Sequence, residues 1–405
     1  MQLRGSLVIF AVTLVAAALF YAAELPVLPP PYATPSVTNH PRVIPQPAGA
    51  KLTVPPGFHI DVWAEGFRTP RYMLLGPNQE VLLADSTRRP NGAVYVFSPQ
   101  QTRNGSAGGS EGNKPKKIIE GLHQPYGLAY HDGYLYVGES DSVKRYPYDS
   151  KGLTAGPGQE IISLKGIDRY HWTRNLLIDR AGKKLYVAIG SGSNDDVGED
   201  PRRAAINRYN LDGTGHEFYA QGTRNPVGIH WYPGTDVLWA GVEERDTLGD
   251  NLPPDYFTHI QEGGFYGWPF AYIGPHIDPI NKDKAPPALV AKTIVPDELL
   301  GAHVAVLDFA FYTGNQFPAE YREGAFVAEH GSWNRSKRDG YRVVFVPFQN
   351  GKPSGPPKPV VTGWMLSPEN IDVWGRPVAV LQLPDGSLLI SDDGGRKIWR
   401  LSYGK

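Results

Sequence analysis

A unit of turn, short apolar strand, Gly or Asp turn and second strand recurs six times, and this repeat restricts the fold more than any other feature of the chain. The paired segments are 70–74 with 81–85, 125–128 with 134–138, 174–178 with 185–188, 226–229 with 237–240, 306–309 with 325–328, and 377–380 with 388–392. A third segment of alternating pattern follows each pair, such as 93–97, 341–346 or 397–401, and reads as a strand with one face open to solvent. A period of roughly 40–50 residues with several strands per unit is that of propeller blades, which cover their faces with neighbours and close into a ring to protect their edges. The expected fold is all-β, a six-bladed β-propeller over residues 51–405. Two separate β-domains are the alternative, but the repeat runs unbroken across the middle. Composition agrees: 46 Gly and 38 Pro punctuate many short strands, and 22 Tyr with 9 Trp suit them.

Two segments precede the repeat. Residues 1–23 carry Arg4 and then an uncharged run over 7–23, the order of a secretory signal or a membrane anchor, with the uncleaved anchor slightly favoured. This predicts export to the periplasm or the cell exterior, with possible anchoring through the N-terminus. Residues 24–50 are Pro-rich and are expected to be a stiff linker. Within the repeat, the Pro-containing stretch 274–303 is too long for a turn and is expected to wall a central pocket. The polar run 104–113 reads as a surface loop.

Charge and cysteine content exclude several functions. With 40 basic and 41 acidic residues there is no field of one sign to draw nucleic acid, and with no Cys there is no disulfide, thiolate metal site, iron–sulfur cluster or cysteine nucleophile. No His-Glu-x-x-His, Gly-x-Ser-x-Gly or phosphate-binding glycine loop occurs. The loops at one end of a propeller's inner strands converge on its axis, so polar residues beside those strands are the candidates for a site. Such clusters are Asp85 to Arg89 including Arg88, His171-Trp172-Thr173-Arg174-Asn175, Thr223-Arg224-Asn225, Glu329-His330-Gly331-Ser332-Trp333-Asn334-Arg335 and Gly375-Arg376. Arginines converging on one centre suit an anion, above all a flat polycarboxylate, which guanidinium forks bind and stack upon. His171 is the candidate general base, with a pKa near neutrality. Glu243, Glu244, Asp246 and Asp250 offer oxygen donors of the kind calcium accepts, in no EF-hand spacing. The competing reading for each is structural, as blade-end Arg, Asn and His often tie blades together through backbone carbonyls. Asn104 and Asn334 also open glycosylation sequons, and modification of Asn334 would contradict a buried role.

The segments Val54-Pro55-Pro56-Gly57-Phe58, His171-Trp172-Thr173-Arg174-Asn175-Leu176, Gly222-Thr223-Arg224-Asn225-Pro226-Val227-Gly228, Gly263-Gly264-Phe265-Tyr266-Gly267-Trp268-Pro269, Gly331-Ser332-Trp333-Asn334-Arg335 and Gly375-Arg376-Pro377 span nearly the whole repeat region. In order and spacing the chain resembles the quinoprotein sugar dehydrogenases, in their sorbosone and pyranose dehydrogenase branch. The resemblance implies oxidation of a sugar hydroxyl or hydrated aldehyde by pyrroloquinoline quinone, with calcium as Lewis acid and an unidentified electron acceptor. It implies His171 as base and Arg224 as catalytic and cofactor contact. Arg88, Arg174, Asn225, His330, Asn334, Arg335 and Arg376 are then further cofactor contacts, and calcium is held largely by backbone carbonyls near Glu243 to Asp250. Tyr170 stands where the related glucose enzymes carry an acidic residue before the base, and Val378 and Ala379 stand where they carry Arg and Asp. These departures leave the orientation of the base and the preferred sugar open. A calcium-dependent lactone hydrolase and a non-catalytic protein- or glycan-binding propeller are the alternatives. The hydrolase would need more acidic groups at inner-strand ends than the sequence suggests.

Overall fold

The computed structural model describes residues 25–103 and 113–404, so the expected signal or anchor and most of the polar run 104–113 lie outside the described residues. Six sheets, antiparallel apart from the parallel outer strand Gly264–Phe265 of the third, follow one another along the chain, each beginning at an innermost strand: Pro70–Leu75, Leu128–His131, Arg174–Ile178, Asn225–Trp231, Val306–Phe311 and Pro377–Gln382. These inner strands touch in cyclic order, the last against the first, which closes a six-bladed propeller. Closure is completed by chain ends: Phe58–Glu65 pairs antiparallel with Lys397–Tyr403 and becomes the outermost strand of blade six. An edge that would otherwise be left unpaired is thereby filled from the start of the domain.

The core is divided as the blades are. Six buried apolar clusters each fill one interface between neighbouring blades, for example Ala129, Leu176 and Val187 between blades two and three, and Trp239, Phe309 and Val344 between blades four and five. Blade neighbours cover some third strands on both faces, although Ser142–Asp149 of blade two keeps an exposed face along its second half. Gly92–Phe97 and Arg342–Gln349 are buried along nearly their whole length, which corrects the one-sided exposure expected from their alternation. Across the axis, Tyr72, Leu128, Val227, Leu307 and Val378 come from five inner strands into one buried cluster.

The Pro-rich stretch expected to be a spacer is docked on the propeller. Arg42–Val43 pairs in parallel with Asp372–Val373, Leu28 packs into the cluster between blades three and four, and Asn39 N–H donates to the Trp333 carbonyl at 2.7 Å. The Pro-rich backbone makes few hydrogen bonds to itself, such as Ala33 N–H to the Pro30 carbonyl and Ala50 N–H to that of Pro47, so its other groups are available to the loops beneath it. The 274–303 insertion also differs from expectation. Its last part, Glu298–Ala302, is the outer strand of blade four, and only His303 reaches the cavity lining.

Candidate active site

A cavity of about 280 Å³ opens at one end of the axis. Blade three supplies Tyr170 and His171 from the loop before its inner strand, and blade four supplies Arg224, Glu243, Glu244, Asp246 and Asp255. His303, His330 and Trp333 come from blade five and Arg376 from blade six. Near the lining, Asp393 binds His330 at 2.9 Å and Arg71 at 2.6 Å, and the Arg71 guanidinium lies 4.9 Å from the centre of the Trp172 ring.

His171 is held in one tautomer. Its Nδ1 lies 3.1 Å from the Ser191 carbonyl and 3.0 Å from Ser191 Oγ, whose own proton goes to the Ser193 carbonyl at 2.6 Å. Both partners accept, so Nδ1 carries the hydrogen and Nε2 keeps its lone pair. Burial, reinforced by Arg224, holds the imidazole well below its ordinary range, not near neutrality as expected. It is a neutral base at pH 7. The loop carrying it is fastened by Arg174, which is fully buried and donates to the carbonyls of Ile167, His171 and Thr173. A methyl group at Gly190 would collide with the His171 Cβ and with Asn225 Oδ1, so this glycine is required by close approach.

Arg224 is the most heavily bonded cation of the cavity. It donates to Asp246 Oδ2 at 2.9 Å, Asn194 Oδ1 at 3.0 Å, the Asn194 carbonyl at 3.3 Å, the Glu244 carbonyl at 2.5 Å and the Tyr170 hydroxyl at 3.3 Å. Burial disfavours its charge, but Asp246, Tyr170, Glu243 and Glu244 outweigh that, and its pKa is raised. Asn194 is the hub: it also accepts from the Asp246 N–H at 2.8 Å and, through its carbonyl, from Trp268 Nε1 at 2.8 Å. The Gly-Phe-Tyr-Gly-Trp-Pro segment thus supports the site from behind.

Four carboxyl groups line the cavity: Glu243, Glu244 and Asp246, which the sequence offered, and Asp255, where Asp250 was expected. Burial raises the pKa of Glu243, of Glu244 to about 8, and of Asp255 well above the ordinary carboxylate range. Asn225 donates to Glu243 at 2.5 Å, while Glu244 Oε1 and Asn225 Oδ1 are buried without a partner. Crowded, dehydrated carboxyls of this kind are stabilised by a cation. Among the described residues no three His, Asp or Glu side chains are already gathered into a metal cluster, so a cation would need backbone or ligand oxygens as well. Burial also controls how stability depends on pH. A folded carboxyl that holds its proton more tightly than the unfolded one stabilises fully below the ordinary value of 4.5 and loses that contribution as pH rises through about 8. Glu244→Gln is therefore expected to unfold like the unsubstituted, calcium-free chain near pH 4.5, and to be more stable by on the order of a few kcal/mol at pH 8. Thermal unfolding at the two pH values measures this.

The expected ring of arginines is reduced to two that line the cavity, Arg224 and Arg376. Arg376 donates to the carbonyls of His330 at 3.2 Å and Gly331 at 3.0 Å. His330 donates from Nε2 to Asp393, and burial with the Arg376 charge lowers its pKa to about 4. Arg88 is exposed beyond the first blade's second strand and does not line the cavity, and Arg174 points at backbone carbonyls instead. Asn334 joins the Thr247 N–H to the Val37 carbonyl, and Arg335 donates to the carbonyls of Asp250 and Ala302. The Asp250 carboxylate accepts from the Ser336 N–H and hydroxyl. These three residues bind loops to one another and none of them lines the cavity, because backbone carbonyls lie within reach before the axis does. Asn334 is buried with both ends of its amide engaged, which leaves no room for a glycan there. Sequence reasoning missed Asp255, His303 and Asn194 as site-forming groups, and it held Trp333 only as a member of the cluster 329–335. Asn194 sits after the second strand of blade three, the position that had singled out Asp85 and Glu329, and so was findable. Asp255 begins a third strand and carried no such signal.

A model of the TrAA12-like family matches residues 52–254 and 289–403. The pyrroloquinoline quinone-dependent pyranose dehydrogenase of Coprinopsis cinerea is 25% identical over 418 residues, covering 88% of this chain and 55% of that enzyme, so the chain spans about half its length. The holo quinone domain of the pyranose dehydrogenase from Coprinopsis cinerea superposes with a TM-score of 0.72 at 21% identity, over 88% of this chain and 98% of that one. The calcium structure of the Trichoderma reesei family AA12 enzyme does so with a TM-score of 0.72 at 21% identity, over 91% and 100%. These structures establish the shared propeller. With the matched segments running through every blade and including both His171 and Arg224, the chain belongs to the TrAA12-like family.

Proposed function

We propose that this protein is a sugar oxidoreductase that oxidises a sugar hydroxyl or hydrated aldehyde, using pyrroloquinoline quinone and calcium. The observation that carries the reading is a buried, neutral His171 whose Nδ1 is committed to Ser191, with Nε2 left as acceptor in a cavity shared with Arg224. Membership of the family and the named activity of the Coprinopsis relative support it. The residues present fit the two groups. A cavity of about 280 Å³ is close to the low end of small-molecule sites, roughly 300–1,000 Å³. Arg376 and Arg224 offer positive charge to an anionic ligand, and Glu243, Glu244 and the unpartnered Glu244 Oε1 offer oxygen to a divalent cation. When bound, the quinone supplies a hydride acceptor and calcium a Lewis acid.

The chain's own part in the reaction is proton transfer and charge placement. His171 Nε2 takes the proton from the substrate hydroxyl, and the Ser191 carbonyl steadies the imidazolium through Nδ1–H. Arg224, fixed by Asp246 and Asn194, holds a positive charge in the cavity for an anionic ligand without having to reorganise. The reading includes export, as the N-terminal run suggests, and an electron acceptor outside this chain. The test is reconstitution of purified protein with quinone and calcium, followed by sugar-dependent bleaching of a redox dye. Activity that needs both additions is expected. Lactone hydrolysis with calcium alone, or no turnover with any sugar, would overturn the assignment.

A further inference from the structure

Residues 25–50 run across the loops that form one side of the cavity mouth. The Tyr32 N–H donates to Leu248 and the Asp250 N–H to Thr34 Oγ1, both at 2.7 Å, on the loop that carries Glu243 to Asp246. Asn39 donates to the carbonyls of Trp333 and Arg335, and Arg338 returns bonds to the carbonyls of Asn39 and His40, on the loop that carries His330 and Trp333. The Arg42 and Ile44 N–H groups then bind Ile371 and Val373, just before Arg376. One segment thus staples three loops that each contribute to the lining. At its centre the His40 ring stacks on the Trp333 ring, centroids 5.0 Å apart and planes 14° from parallel. Trp333 lines the cavity, whereas His40 is exposed on the outside of the stack.

We infer that His40 is a specificity-determining residue: by covering the outer face of Trp333 it holds the indole as a wall of the mouth and limits the size of sugar that enters. The kinetic part of this inference rests on the proposed sugar oxidation. His40 suits a clean test, because Asn39 and Arg338 continue to pin the backbone when its ring is removed. In His40→Ala the ratio of kcat/KM for a disaccharide to that for its monosaccharide is expected to rise roughly 3–10-fold, the scale of a lost aromatic stack. His40→Phe, which keeps a stacking ring, is expected to restore the original ratio. Acrylamide quenching of the Trp333 fluorescence, taken as the difference from Trp333→Phe, reports the same contact without turnover and is expected to increase in His40→Ala. An unchanged ratio in His40→Ala, or failure of His40→Phe to restore it, overturns the inference. If the unsubstituted chain oxidises neither sugar, the proposed function fails separately and quenching decides: an increase keeps Trp333 dependent on His40, and no increase overturns that too.

Discussion

His171→Gln is expected to lower kcat of the reconstituted protein by roughly 10²–10⁴-fold while leaving the fold and cofactor uptake intact. Gln has polar atoms but no basic nitrogen, so only the proton acceptor is lost. The pH profile gives a sharper check. Burial and the neighbouring Arg224 hold the imidazole well below 6.5, so it remains unprotonated across the ordinary histidine range. The unsubstituted enzyme should therefore show no fall in kcat/KM from pH 8 down to 6.5, with its acid limb lying lower. Steady-state kinetics with a dye acceptor measures both quantities. An acid limb centred at or above 6.5 would mean that a different group takes the proton.

Arg224→Ala carries the second large effect, this time on stability as well as activity. The guanidinium is almost fully buried and pairs with Asp246 at 2.9 Å, so its removal strands a carboxylate and takes away the donor to the Glu244 carbonyl. Breaking a buried pair on one side costs about 3–5 kcal/mol. Denaturant unfolding is expected to show a loss of that size, with activity abolished. Arg224→Lys should recover part of the stability and little of the activity, since one ammonium cannot span Asp246, Asn194 and the Glu244 carbonyl together. The double substitution Arg224→Ala with Asp246→Ala should be less destabilised than Arg224→Ala alone. If it is equally destabilised, the pair is not what holds this corner of the cavity.

The propeller was legible because its strands are short, apolar and punctuated, and because each of the six units repeats the same local pattern. Local pattern also brought His171, Arg224, Glu243, Glu244, Asp246, His330 and Arg376 into view, since all lie beside inner or second strands and all reach the cavity. The same rule proposed Arg88, Arg174, Asn334, Arg335 and Asp250, which lie at comparable positions and do not line it. A long side chain at a blade end reaches either the axis or the nearest carbonyl, and sequence spacing does not distinguish the two. Arg174 shows the second outcome, with three carbonyls in range and no exposure.

Charge at the site was harder to read. Four carboxyls face a cavity lined by only two of the expected arginines, and of the four only Asp255, which approaches from a third strand, was absent from the sequence reading. The Pro-rich segment was misread for a related reason. Poor core-forming composition does suggest a spacer, yet a chain that makes few hydrogen bonds of its own can still bond to loops folded elsewhere. Repetition in the amino-acid order was enough for blade number and the end of the axis where polar groups collect, because these follow from short-range pattern, whereas the closure of blade six by Phe58–Glu65 appeared only in the structure. The tautomer of His171, the protonation of Glu244 and the seat of residues 25–50 against Trp333 were settled only when distant parts of the chain met, since burial and hydrogen-bond partners belong to the assembled molecule and to no single segment.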